Sequence, residues 1–200
     1  MSSVYESSFP PIVIHMAPSW RKMSGDDFFE FCQANPSLKL EMSSSGDVII
    51  MTPSGSESGR RNATLIGKLF AWAENNGEGI VFDSQSGFEL PNGAQRAPDC
   101  AWIRRERYEQ LPIEKRRKFA PIAPDFVAEL RSPSDRLSDP HAKMKEYMDN
   151  GVRVGWLIDP DTQTVWIYEQ GKESQRLDHP AEVDGGSVLP GFALKLSTIW

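Results

Sequence analysis

Glu129 is the most unusual residue of this chain. It stands in Asp125-Phe126-Val127-Ala128-Glu129-Leu130-Arg131, a run that otherwise reads as an apolar strand. A carboxylate among such neighbours is costly to desolvate unless a cation or hydrogen bonds compensate it. A second acid, Asp99, stands in Ala97-Pro98-Asp99-Cys100-Ala101-Trp102, at the start of another strand-like run. Two carboxylates brought together from adjacent strands suit a hard divalent cation, which takes one or two carboxylates plus waters. Such an ion can hold a phosphate, lower the pKa of a bound water and neutralise the charge that builds as a phosphodiester is hydrolysed. A lysine close by would orient that water or help deprotonate it. Each acid also has a plainer reading. Asp99 follows a proline and suits a turn aspartate that caps a backbone N–H. Glu129 suits a buried ion pair with Arg131 or another base.

The acids can only meet if the chain places their strands side by side. Ser24 reads as a helix N-cap with Asp26 and Asp27 in the first turn, where negative charge suits the helix dipole. Phe28, Phe31 and Cys32 give that helix an apolar stripe. Strands over 38–41 and 48–51 flank a Ser/Gly turn and form a hairpin. A Gly/Ser loop over 53–59 leads to a helix over 61–75 with Leu65, Leu69 and Trp72 on one face, closed by Asn76-Gly77. Further strands are expected over 79–84, 87–90, 99–103, 126–130, 154–158 and 164–168. The cleanest helix spans 139–150. Asp139 suits its N-cap, Pro140 its first position and Gly151 a left-handed stop, while Met144, Tyr147 and Met148 face the core. Residues 1–18 carry three prolines and four serines without a period and read as an N-terminal arm, leaving 19–200 as a single domain. Helices interrupt runs of strands without regular alternation. The expected fold class is therefore α/β of the mixed α+β kind, with a mixed central sheet flanked by helices.

Composition narrows the choice further. The chain has 200 residues, of which 39% are hydrophobic and 25% charged, an ordinary globular mix for one core. No apolar run reaches membrane-spanning length, and the N-terminus lacks a secretory pattern, so a cytoplasmic location is the default. Cys32 and Cys100 are far apart and read as reduced and structural. His15, His141 and His179 have no partner at zinc spacing. The net charge of −6 opposes tight non-specific nucleic-acid binding but leaves room for a local basic face. The basic run from Lys115 to Lys118 reads as a solvated helix face.

Pro98-Asp99 followed by Glu129-Leu130-Arg131 resembles the PD-(D/E)XK nuclease signature, with arginine in place of lysine. The likeness extends from about Trp20 to Leu196. It includes Leu40-Glu41, Ile49-Ile50-Met51-Thr52-Pro53-Ser54-Gly55 and Ser86-Gly87-Phe88-Glu89-Leu90-Pro91-Asn92-Gly93. It continues through Ser132-Pro133-Ser134-Asp135, Lys143-Met144-Lys145-Glu146-Tyr147 and Gly155-Trp156-Leu157-Ile158-Asp159-Pro160. Together these stretches resemble one branch, the bacterial Uma (Uma-two) family of restriction-endonuclease-like proteins. Each is weak alone; their shared order is specific for the family, though not for an activity.

The resemblance implies a restriction-endonuclease-like core and roles for particular residues. Asp99 and Glu129 would be metal ligands, for Mg²⁺ or Mn²⁺. Lys143 matches the position from which the family supplies its lysine, and it would orient the attacking water. Glu41 matches an early acidic position and would complete the metal shell, directly or through water. Arg131 departs from the signature; a guanidinium stays protonated and makes a poor base, so it would grip phosphate or a carboxylate. Lys145 is the rival of Lys143. It lies about 200° round the helix, so at most one of the two faces the site. The implied activity is metal-dependent hydrolysis of DNA by a homodimer. The alternatives are an inactive nucleic-acid-binding or structural module on the same fold, and a hydrolase of RNA or another phosphoester.

Overall fold

Cys100–Arg104 (β7) and Phe126–Leu130 (β8) lie side by side and antiparallel; the strand expected to start at Asp99 begins one residue later, so Asp99 immediately precedes β7 while Glu129 lies within β8. The computed structural model describes residues 11–16, 23–76, 78–132 and 138–200. Trp20, Gly77 and the family-like stretch 133–135 lie outside them, as does most of the expected N-terminal arm. Residues Ile12–Ile14 of that segment form a strand (β1) on the edge of the smaller sheet, paired with Val48–Met51 (β3).

The central sheet has six strands and is mixed, as expected. With Gly79–Phe82 (β4), Val154–Asp159 (β9), Thr164–Glu169 (β10) and Gln175–Asp178 (β11), its order is β11-β10-β9-β8-β7-β4. Only β8 and β9 run parallel; the other pairs are antiparallel. A parallel pair needs a crossover. Ser138–Asp149 (α5) supplies it, and Gly151 at φ 97° ends the turn that returns the chain to β9. The smaller sheet is ordered β1-β3-β2-β6-β5, where β2 is Lys39–Met42, β5 Phe88–Glu89 and β6 Gln95–Arg96. Glu182–Asp184 (β12) pairs with Ala193–Lys195 (β13), a hairpin that the sequence pattern did not reveal.

Both faces of the central sheet are covered, which is why β9 is buried along its whole length. Cys100, Trp102, Phe126, Ala128, Trp156 and Ile158 pack on one face with Leu65 and Leu69 of Ser56–Asn76 (α2) and with the C-terminal tail. Ala101, Ile103, Val127 and Leu157 pack on the other with Met144 and Tyr147 of α5. Gly155 brings α5 close, because a Cβ there would lie 2.3 Å from the Met144 terminal methyl. The helix Gly25–Ala34 (α1) closes a third cluster through Phe28. It begins at a reciprocal Ser24–Asp27 capping box, and Phe31 of its expected stripe is largely exposed.

Helix α2 begins five residues earlier than the 61–75 pattern suggests, absorbing part of the Gly/Ser loop. The charge-rich stretch after β7 forms two short helices, Arg105–Glu109 (α3) and Ile113–Arg116 (α4). Its Lys115 and Lys118 pair with Asp26 of α1, so they bind the protein's own surface. Cys32 and Cys100 are free thiols. Among the described residues no helix is long and apolar enough to cross a membrane.

Candidate active site

Strand alternation decides where Glu129 points. Phe126 and Ala128 face α2, whereas Val127 faces α5, so Glu129 also turns to α5. The ladder pairs Cys100 with Ala128 and Ala101 with Val127; one more step in that register sets Asp99 opposite Glu129. Opposed like charges on neighbouring strands repel. Asp99 is fixed by the Leu130 backbone N–H, which donates to its Oδ2 at 2.9 Å. Glu129 Oε1 lies 2.9 Å from Lys143 Nζ and accepts from the Tyr147 hydroxyl at 3.0 Å. Lys143 and Tyr147 are one helical turn apart, which presents both to the same strand end.

Lys143 Nζ also donates to Glu41 Oε1 at 2.9 Å. Glu41, on β2 and 2% exposed, accepts further from the Ala97 backbone N–H and from Arg96 Nη1, each at 3.1 Å. Arg96 Nε in turn donates to Glu146 Oε2 at 2.6 Å. Ion pairs thus link three carboxylates (Glu129, Glu41, Glu146) to two cations (Lys143, Arg96), and Asp99 lines the same cavity as Glu129. With all six groups ionised, the formal charge of this cluster is the −2 that one divalent ion would balance.

The two glutamates respond in opposite directions. Burial pushes Glu129 up; Lys143 pulls it back, the charges of Asp99 and Glu41 push again, and the balance is about 7. Burial also opposes charge on Glu41, but Lys143 and Arg96 outweigh it and hold the group down to about 2. The Lys143 ammonium is disfavoured by burial, yet Glu129 and Glu41 more than compensate and raise its pKa, so it stays protonated. It is a donor in this state, not a base. Burial raises Tyr147 as well, keeping its hydroxyl a donor.

Asp99, Glu129 and Lys143 line one cavity of about 170 Å³, together with Lys39, Asn62 and Ser132. Glu129 and Lys143 also line a neighbouring cleft of about 710 Å³, walled by β2, β3 and α5 and edged by Arg96 and Arg131. Among the described residues no cluster offers three His, Cys, Asp or Glu side chains to one ion. Two hard carboxylates facing a shared cavity still fit Mg²⁺ or Mn²⁺, which complete their shells with water and substrate oxygens.

The structure thus brings Asp99, Glu129, Lys143 and Glu41 together. Both oxygens of Glu41 accept hydrogen bonds, Oε1 from Lys143 and the Ala97 backbone N–H and Oε2 from Arg96. Of the two contacts expected for Arg131, the carboxylate is made: its Nη1 bonds Asp159 Oδ2 at 2.8 Å. Lys145 turns outward and pairs with Asp149. His15, His141 and His179 line neither cavity. Sequence reading missed Arg96 and Glu146 and took Tyr147 for core alone. The i, i+3, i+4 spacing of Lys143, Glu146 and Tyr147 carried a signal for two of them; Arg96 offered none.

Replacing the two lysines separates their roles. Lys143→Met leaves two buried carboxylates without their ammonium and is expected to cost about 3 kcal/mol in urea unfolding. Lys145→Met on the exposed face should cost less than about 0.5 kcal/mol.

Comparison with known proteins bears on the fold and the family of the chain. A solved structure titled as a putative nuclease from Anabaena variabilis ATCC 29413 superposes with a TM-score of 0.73 at 19% identity, covering 88% of this chain and 97% of that one. A DrdV–DNA complex solved by cryoEM matches 62% of this chain and 11% of its own at 18% identity, with a TM-score of only 0.38. No curated protein matches the chain. The family model described as "Putative restriction endonuclease" matches residues 26–197, and the chain therefore belongs to the Uma2 family.

Proposed function

We propose that this protein is a metal-dependent endodeoxyribonuclease that cuts phosphodiesters at the Asp99–Glu129 strand ends. The observation that carries the reading is the convergence of Asp99, Glu129 and a protonated Lys143 on one small cavity, in a cluster of formal charge −2. In this reading Asp99 and Glu129 hold Mg²⁺ or Mn²⁺. When bound, the ion would supply Lewis acidity toward the scissile phosphate and a more acidic water.

The protein's own groups do the rest. Lys143, tethered between Glu129 and Glu41, keeps one N–H for the cavity, where it orients the attacking water and faces charge that builds on phosphate oxygens. Glu41 keeps that ammonium charged and aimed, acting as a positioning residue instead of a direct ligand. Tyr147 fixes the rotamer of Glu129 through its hydroxyl. Arg131, already held by Asp159, lies at the rim of the larger cleft, where it could meet a flanking phosphate. A twofold assembly would let two such sites reach both strands of a duplex.

The test is cleavage of supercoiled plasmid by the purified protein with Mg²⁺ or Mn²⁺ and with chelator. Asp99→Asn should lower the rate at least about 100-fold while circular dichroism and melting temperature stay near the parent's. Cutting by Asp99→Asn at the parental rate would remove the site from the reaction. Parallel assays on RNA and on a small phosphate diester separate the DNA reading from other phosphoesters.

A further inference from the structure

We infer that Asn62 of α2 completes the oxygen shell of the divalent ion with a neutral amide oxygen, alongside Asp99 and Glu129. This rests on the metal-site reading above. Asn62 lines the same cavity as the two acids and Lys143. Its Oδ1 is buried and has no hydrogen-bond partner among the described residues. Buried amide oxygens are ordinarily paired, and one left bare in a polar cavity marks a place where a bonding partner belongs.

The position of Asn62 in its helix supports the same conclusion. Leu65 and Leu69, three and seven residues on, are fully buried against the central sheet, and Ile66 packs against them. Asn62 extends that stripe toward the helix N-terminus, where an apolar residue would continue it. The sequence instead places a hard oxygen there. The Arg61 guanidinium bonds the Ile199 carbonyl at 2.9 Å and Arg60 bonds the Thr198 carbonyl at 3.0 Å, so this turn of α2 is anchored to the C-terminal tail. A third oxygen from α2 would tie that helix to the ends of β7 and β8. It would also add an oxygen ligand without adding charge to a site whose formal −2 one divalent ion already balances.

Mn²⁺ affinity, measured by titration calorimetry on the intact protein, and the melting temperature of the metal-free protein give two independent readouts. Asn62→Leu keeps the approximate size of the side chain and removes the unpaired Oδ1. It should weaken Mn²⁺ binding at least about 10-fold and leave the metal-free melting temperature equal or higher. Asn62→Asp should bind Mn²⁺ more tightly than the parent. Parental affinity in both variants, or a fall in metal-free melting temperature that marks Asn62 as purely structural, would overturn the assignment. Glu129→Gln serves as the control. If the parent binds Mn²⁺ and Glu129→Gln does not, failure at Asn62 leaves the metal site standing; if the parent binds no ion, the underlying reading fails first.

Discussion

Glu129→Gln is expected to stabilise the metal-free protein at about pH 8 while abolishing its response to divalent ions. Glu129 is 8% exposed, and its pKa rises from 4.5 to about 7 through burial and the neighbouring charges of Asp99 and Glu41, against the pull of Lys143. The folded protein therefore holds this proton more tightly than the unfolded chain does. Between 4.5 and about 7 the native state binds more protons, so stability falls as pH rises through that window. The full loss is about 3 kcal/mol above the window. Glutamine keeps an oxygen for the Lys143 ammonium and the Tyr147 hydroxyl but carries no charge. The variant should gain about 1–3 kcal/mol at about pH 8, a gain that vanishes near pH 4.5, where Glu129 itself is neutral. Urea unfolding at several pH values checks this, and a constant difference across pH would refute it.

The same substitution tests the site. Saturating Mn²⁺ at about 100 times its Kd should stabilise the parent by about 2.7 kcal/mol and leave Glu129→Gln unmoved. In the parent, affinity should drop about tenfold per pH unit below 7, because the proton on Glu129 competes with the ion. A variant that is more stable yet inert is the pattern expected where charges are kept for function at the expense of the fold.

Glu41→Ala should behave in the opposite way. Glu41 joins Lys143, Arg96 and the Ala97 backbone N–H in one buried spot. Deleting it strands two cations and a donor, a loss of about 3–5 kcal/mol at neutral pH. Its pKa is held down to about 2 from 4.5, burial being outweighed by Lys143 and Arg96. Its contribution is therefore present above 4.5 and lost as pH falls from there to about 2. The parent should show this acid limb and Glu41→Ala should lack it. Glu41→Gln, which keeps the size and the hydrogen-bonding shape, should fall between them. If Glu41→Ala unfolds at the parental urea midpoint, the network does not support the fold, and Lys143 is held by something else.

The strand and helix pattern was legible because each element carries its own periodicity. The 126–130 run, the Gly151 stop and the 48–51 return strand all appear close to where the residues put them. The pairing of β12 with β13 was not legible, since strands of three residues are too short to show a period, although Val183 and Leu194 are buried. The first turn of α2 was not legible either, because glycine and serine favour loops locally and only packing along the helix overrides them.

For the site, the sequence alone determined which groups had the chemistry: an acid inside an apolar strand, an acid after a proline, and two lysines on one helix of which one had to face out. Those are properties of residue type and local geometry, and a strand's period of two or a helix's 3.6 transmits them without reference to the rest of the chain. Only the tertiary structure decided their partners. Register set Asp99 opposite Glu129, and the close approach of α5 permitted by Gly155 chose Lys143 over Lys145. The meeting of two sheets placed Arg96 and Glu41 beside that lysine. Electrostatic roles followed from those contacts. A carboxylate has no fixed pKa until its neighbours and its burial are known, so two glutamates of one composition end on opposite sides of their ordinary value.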